Sequence, residues 1–230
     1  MGDLAVVVGA TGGVGAALAT ALATAGHNVV ALGRATTPPL DLLDEASIAT
    51  AAAHVAASVA DQGTLRLVID ATGFLHGDGF EPERSWRDLD PAHMARAFAV
   101  NAIGPALLMK HFLPLLPRQG PSVFATLSAR VGSIGDNRLG GWYAYRASKA
   151  ALNQLVRTAA IELRRRAPEA VCVALHPGTV ATPLSAPFAR AGLAVRPAEE
   201  AAADLLRVIT ALGPADSGTF LDHKGLPIPW

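Results

Sequence analysis

Cysteine is all but missing. The 230-residue chain has one, Cys172, so no internal disulfide can form, and its place in the apolar run Val171-Cys172-Val173-Ala174-Leu175 reads as a buried thiol in a reducing compartment. An excess of charge is missing too, since nineteen Lys and Arg balance nineteen Asp and Glu. Without a basic surplus for phosphate backbones or anionic lipid, neither nucleic acid nor a membrane is expected as a partner. Metal-ligand spacing is absent among the seven histidines, none of which form a His-x-x-x-His pair, and no cysteine stands by to complete a zinc site. No metal is expected. Between Asp3 and Arg34 there is no charged side chain. A run of that length could span a bilayer, but Gly9, Gly12, Gly13, Gly15, Gly26, His27 and Asn28 break it into short pieces, and Asp3 stands where a secretory signal carries positive charge. The expectation is a cytoplasmic chain.

What is abundant is apolar: 51% of residues are hydrophobic and 17% charged, which excludes disorder and suffices for one domain with a substantial core. Short apolar runs alternate with helical patterns, the signature of βαβ units around a parallel sheet. Strands are predicted at Leu4 to Val8, Asn28 to Leu32, Leu67 to Asp70, Ser122 to Leu127, Ala170 to His176 and Ser217 to Leu221. A very short strand is allowed near Leu40 to Leu42, where Pro38 and Pro39 leave no room for a crossover helix after the second strand. Helices are predicted from Val14 to Gly26, from a cap at Asp44 to about Ala60, from Pro91 to about Leu116 with a bend at Pro105, from Tyr143 to Arg166, and from Pro197 onward. The stretches 73–90 and 183–197 are irregular. Both should lie at the carboxyl edge of the sheet, where open α/β proteins bind ligands, and both are candidate substrate loops.

Gly9-Ala10-Thr11-Gly12-Gly13-Val14-Gly15 falls between the first strand and the first helix, where a dinucleotide pyrophosphate would meet backbone N–H groups and the positive end of a helix dipole. A β-carbon there would hold the phosphates away. The acid expected at the end of the second strand is missing, and Arg34 stands in its region. A guanidinium clasps a 2′-phosphate bidentately, so NADP(H) is favoured over NAD(H). Tyr145 and Lys149 lie four residues apart, which places a phenol and an ammonium on one helical face. A nearby cation favours the phenolate, so Tyr145 is a usable acid or base near neutrality.

The ordered set Gly9-x-x-x-Gly13-x-Gly15, Asn101, Ser128, Tyr145-x-x-x-Lys149 and Pro177-Gly178-Thr179-Val180-Ala181-Thr182 resembles the short-chain dehydrogenase/reductase family along essentially the whole chain. Ser128 to Ile134, Asp136 to Tyr143 and the ending Ile228-Pro229-Trp230 look like the branch containing C-factor and sniffer-type carbonyl reductases. The resemblance implies an α/β fold, a single doubly wound Rossmann-type domain over 1–230 with helices on both faces of a parallel sheet. It implies an oxidoreductase moving a hydride between a nicotinamide cofactor and a carbonyl or alcohol, or a catalytically weak dinucleotide-binding signalling protein. Carried over, it makes Tyr145 the proton donor, Lys149 the group that lowers the phenol's pKa and holds the nicotinamide ribose, and Ser128 the hydrogen-bond donor to the substrate oxygen. Asn101 would bend its helix and hold a water linking Lys149 to solvent. Gly9, Thr11, Gly13, Val14 and Gly15 would cradle the pyrophosphate, and Asp41 would meet the adenine. Ala71 and Gly73 would line the adenosine side, and Pro177, Gly178, Val180 and Thr182 would border the nicotinamide.

The chain departs from the family at Val8, where a Thr is usual, and at Asp70-Ala71-Thr72-Gly73, which replaces Asn-Asn-Ala-Gly and its side-chain bracing of the sheet. Phe74, Phe80, Trp86, Trp142, Leu184 and Phe188 suggest an apolar substrate pocket. Ala144, Ala147, Ser148 and Ala151 are small enough to let another helix approach, and a homodimer or homotetramer is expected.

Overall fold

The computed structural model describes residues 3–77, 79–188 and 195–230. Among these described residues the apolar runs form six strands, β1 (Leu4–Val8), β2 (Asn28–Leu32), β3 (Leu65–Asp70), β4 (Ser122–Leu127), β5 (Ala170–His176) and β6 (Phe220–Asp222). They pair in parallel in the order β2-β1-β3-β4-β5-β6. Six α-helices among the described residues connect them, α1 (Gly13–Thr24), α2 (Glu45–Gln62), α3 (Pro91–Phe98), α4 (Gly104–Phe112), α5 (Tyr143–Arg166) and α6 (Ala198–Ala211).

Strand side chains alternate between faces, so each strand feeds two cores. Val6, Val8, Phe124, Cys172 and Ala174 meet Ile48 and Val55 of α2, Leu108 and Phe112 of α4, and Leu152 and Val156 of α5. Val7, Ile69, Ala125, Val173 and Leu175 meet Leu18 and Leu22 of α1 and Leu205 and Val208 of α6. The doubly wound architecture follows. β2 lies on one side of β1 and β3 on the other, so the direction in which strands are added to the sheet reverses beside β1, and the loops after β1 and β3 open the crevice in which such sheets take ligands.

Several local expectations are corrected. Residues 40–42 form no strand. Pro38 and Pro39 bring no N–H to a ladder, the Leu40 N–H turns back to the Gly33 carbonyl at 2.9 Å, and Leu40 and Leu42 spend their side chains on the core. A crossover helix does leave the second strand: α2, capped by the Asp44 carboxylate, carries the chain from β2 to β3. β3 begins at Leu65, two residues early, and β6 is shifted to 220–222. The helix from Pro91 is interrupted by a π-helical turn at Ala99–Ile103, where the Gly104 N–H reaches back to the Ala99 carbonyl. Pro105, placed at the start of α4, has no N–H to return to the Asn101 carbonyl, so the wider turn falls just before it. The apolar run 91–115 is long enough to cross a bilayer, yet its Leu108 and Phe112 are fully buried beneath the sheet.

Of the Arg164-Arg165-Arg166 run, Arg166 ends α5 by donating to the carbonyls of Leu113, Pro114 and Leu116, the unsatisfied carboxyl end of the α4 segment. Phe112 joins α4 to the sheet and is fully buried. Phe112→Ala is expected to cost about 3–5 kcal/mol, the usual effect of emptying an aromatic site in a packed core. Urea unfolding checks this, and a loss below about 1 kcal/mol would show that α4 is not held through the core.

Candidate active site

The turn after β1 is shaped by what its glycines exclude. Gly9 has φ +79°, and a Cβ on Gly15 would lie 2.1 Å from the Gly9 carbonyl oxygen. A Cβ on Gly13 would lie 2.6 Å from Thr182 Cγ2, so the segment after β5 closes over the start of α1. Gly12 caps α1 without a side chain, and no acid occupies the first turn, so the positive helix end stays open to an anion. Val14 packs its side chain toward the α1/α6 core and leaves only its backbone at the turn. These features fit a dinucleotide pyrophosphate.

Thr11 lies beside Gly33 at the end of β2, next to exposed Arg34. The loop that follows is held by Thr36, whose hydroxyl bonds Gly33 and Pro38. Asp41 is half-buried and turns its Oδ1 to the Leu43 N–H at 3.0 Å. Ala71 extends the β1/β3 pairing through an N–H to the Val8 carbonyl. Gly73 lies elsewhere than expected. A Cβ there would be 3.8 Å from both Asn101 Oδ1 and Lys149 Nζ, so Gly73 faces the Tyr145–Lys149 region.

Asn101 sits fully buried in the π-helical turn. Its amide clasps the Phe74 backbone, accepting from the N–H at 2.8 Å and donating to the carbonyl at 2.7 Å, and reaches Ser148 Oγ of α5 at 3.1 Å. Lys149 is 2% exposed and donates to the Leu127 carbonyl at 2.8 Å. Burial pushes its pKa down to about 8, with the Asp70 carboxylate acting the other way. Asp70 itself replaces the family's bracing amide, accepting from Thr72 N, Thr72 Oγ1 and Thr126 Oγ1. Ser128, 4% exposed, continues β4 through a 2.8 Å N–H bond to Leu175 and donates its hydroxyl to Asn153 Oδ1 at 2.7 Å.

Tyr145 corrects an expectation. Burial raises its pKa to about 12, whereas the neighbouring ammonium was expected to lower it. The reason is that Lys149 and Ser128 turn their hydrogen bonds to Leu127 and Asn153, so desolvation governs the phenol.

After β5, Gly178 takes φ +81° and Val180 pairs with Arg196. Ser185 ties Val180 and Thr182 together, and Pro177 and Gly178 lie between His176 and this tie. Among the described residues the Nδ1 of His176 has no hydrogen-bond partner, and burial with His223 and Arg130 nearby lowers its pKa to about 4. Part of the second candidate loop, 189–194, lies outside the described residues, as does Asp78 in the first.

A profile of the family described as short chain dehydrogenase matches residues 3–191. The chain belongs to the short-chain dehydrogenase family. It is 43% identical over 144 residues to the C-signal protein of Myxococcus xanthus, covering 62% of this chain and 82% of that one. It is 32% identical over 206 residues to the 1-hydroxy-2-glutathionyl-2-methyl-3-butene dehydrogenase of Rhodococcus sp. (strain AD45), covering 89% and 84%. The NADPH-bound carbonyl reductase from chicken fatty liver superposes with a TM-score of 0.83 at 28% identity, covering 100% of this chain and 98% of that one. The carbonyl reductase Sniffer of D. melanogaster shares the fold, with a TM-score of 0.84 at 22% identity over the full length of both chains.

In this short-chain dehydrogenase, Glu83, Arg146 and Asn153, which the sequence reading passed over, hold the site together with Trp142, read there as pocket wall. Glu83, 2% exposed, comes from the first irregular stretch and caps α5: its carbonyl accepts from Trp142 N at 2.6 Å, its carboxylate accepts from Ala144 N at 3.2 Å, and Oε1 lies 3.4 Å from His93 Nδ1. Nothing in the sequence marks it. Trp142 is left-handed at φ +52°, following Gly140 and Gly141 in the same region, and this turns the chain into α5. Arg146 pins that turn through the carbonyls of Val131, Gly140 and Gly141. A basic residue in the first helical turn, against the dipole, was its signal. Asn153 was signalled by its place four residues after Lys149.

The proposed apolar pocket is partly redistributed. Trp142 meets Tyr145 and Phe188 edge-on at 6.2 and 5.2 Å, Phe188 meets His76 at 5.3 Å, and Leu184 approaches Gly73. Phe74 and Phe80 instead pack on His93, and Trp86 is 68% exposed. Ala144 and Ser148 are fully buried within the chain, against α3 and Asn101, so they are not free to receive a second protomer. Glu83→Ala strips the acceptor from the start of α5 and is expected to cost about 2–3 kcal/mol, with Glu83→Gln costing about half as much because one acceptor remains. Equal losses in urea unfolding would show that the carboxylate's charge, not its hydrogen bond, anchors α5.

Proposed function

We propose that this protein is an NADP(H)-preferring carbonyl reductase, working in reverse as an alcohol dehydrogenase. The observation that carries the reading is Lys149: a desolvated ammonium held against the end of β4, beside Asn101 and Gly73, one helical turn from Tyr145. A structural lysine has no need of such a place. A nicotinamide held in this crevice would supply the hydride. Tyr145, whose buried phenol keeps its proton across the neutral range, gives that proton to the substrate oxygen. Ser128 stabilises the charge developing on the same oxygen. Lys149, with a pKa near 8, can return a proton toward Tyr145, and Asn101 fixes the Phe74 backbone that walls the site. The glycines of 9–15, with Thr11 and Val14, hold the pyrophosphate, and Arg34 pairs with a 2′-phosphate, in keeping with the NADPH named for the chicken carbonyl reductase. Asp41 and Ala71 border the adenosine, and Pro177, Gly178, Val180 and Thr182 the nicotinamide.

A homodimer or homotetramer through α5 and the helical segment before it is part of the proposal, resting on Ile103 of the π-helical turn and Ile161 of α5, which are 54% and 50% exposed. A cytoplasmic location belongs to it as well. A second reading, a dinucleotide-binding signalling protein with weak turnover, is favoured by the 43% identity to C-signal.

The test is NADPH and NADH oxidation against aldehydes, ketones and quinones. Wild type is expected to turn over with NADPH preferred, Tyr145→Phe to lose about 10²-fold or more in kcat, and Arg34→Ala to raise the KM for NADPH about tenfold while leaving NADH unchanged. Cofactor binding without turnover on any carbonyl would favour the signalling reading.

A further inference from the structure

Asn153 lies on α5 four residues beyond Lys149 and eight beyond Tyr145, on the same helical face. It is 2% exposed. Its Oδ1 accepts the Ser128 hydroxyl at 2.7 Å, while its Nδ2 has no partner among the described residues. A buried amide donor with nothing to bond is costly, and such groups in folded proteins call for a reason.

The reason lies in Ser128, which has one proton to give. In this state that proton is committed to Asn153. A serine that assists carbonyl reduction must direct it to the substrate oxygen. If the hydroxyl alone swung away, Oδ1 would join Nδ2, leaving two buried polar atoms unpaired. If the amide turns by half a revolution, Nδ2 donates to Ser128 Oγ, the serine proton is released, and only a carbonyl oxygen goes without. Unsatisfied carbonyl oxygens are tolerated better than unsatisfied N–H groups.

We propose that Asn153 is a positioning residue that sets the direction of the Ser128 hydroxyl, its amide holding the serine proton at rest and, once turned, freeing that proton for the substrate oxygen. The inference rests on the carbonyl-reductase reading. Asn153 acts through Ser128 and touches neither substrate nor cofactor.

A double-mutant cycle tests it. Asn153→Ala, Asn153→Asp and Asn153→Leu are made with Ser128 present and in Ser128→Ala, with kcat and KM measured on a carbonyl that wild type reduces and NADPH binding followed by fluorescence titration. An ionised carboxylate only accepts, so it locks the serine proton in place. Asn153→Asp is expected to lose about tenfold or more in kcat relative to Asn153→Ala, with NADPH affinity within about twofold of wild type. In Ser128→Ala the three substitutions are expected to agree within about twofold, because the group they act through is gone. If Asn153→Asp does not bind NADPH, Asn153→Leu, which can neither hold nor direct the serine hydroxyl, is compared with Asn153 instead: its loss in kcat is expected with Ser128 present and is expected to vanish in Ser128→Ala. Losses of the same size in both backgrounds would overturn the proposal by showing a role in packing alone. Wild-type protein that binds NADPH but reduces no carbonyl would instead overturn the reading beneath it, and this inference with it.

Discussion

The constraint on which the site depends is the removal of one ammonium group from water. Lys149 reaches from α5 to the end of β4, gives a hydrogen bond to the Leu127 carbonyl, and is almost wholly covered. A cation in that position is unfavourable, which is why its pKa falls to about 8. The surroundings limit the penalty without abolishing it. Asp70 supplies negative charge from the end of β3, and two threonines hold Asp70 in place. The π-helical turn brings Asn101 to the same place, where it fastens the Phe74 backbone and leaves a glycine, Gly73, as the near wall. Two strand ends, one helix interruption and one helix face thus converge on a single side chain.

Around that centre runs a second ring of contacts that fixes orientation. Glu83 joins the first irregular stretch to the start of α5, Arg146 gathers the carbonyls of the preceding turn, and Asn153 holds Ser128. These residues decide where Tyr145 and Ser128 point. Because the first irregular stretch supplies Glu83, a segment expected to shape the substrate pocket also anchors the helix that carries Tyr145.

Much of this was legible in the amino-acid sequence, for reasons that differ by element. β1, β4, β5 and α5 announce themselves because a strand buried on both faces must be continuously apolar, and a helix must repeat its apolar positions every three to four residues. The Gly9–Gly15 turn and the Tyr145–Lys149 pair were legible because their residue types at those spacings suit the chemistry, whereas Asn101 and Ser128 were legible only through the resemblance to short-chain dehydrogenases. Residues 40–42 were misread because two buried leucines look alike whether they belong to a strand or to a loop folded against the core. The interruption of the α3–α4 segment was sensed from Pro105 but falls one turn earlier, since a proline's missing hydrogen bond is felt by the carbonyl four residues before it. Glu83 was invisible because its partners, His93 and Ala144, are distant in the chain and a lone glutamate in a loop has no periodicity. The Tyr145 pKa was misjudged because spacing reveals which charges are near, while burial, the larger effect here, depends on the whole fold.

The burial of Lys149 also ties the site to stability. Below pH 8 the ammonium is charged in both folded and unfolded chains, and the folded one bears the cost of its desolvation. Between pH 8 and the ordinary value of 10.5 the folded chain has released the proton and the unfolded chain has not, so stability gains as pH rises through that window. The most direct measurement is an NMR titration of the free protein labelled with 13C at lysine Cε. The chain has three lysines, Lys110, Lys149 and Lys224, so the Lys149 resonance is identified as the one of three missing in Lys149→Met. The account predicts that one resonance titrates near pH 8 and disappears in that variant. Three lysines titrating together near 10.5 would contradict it.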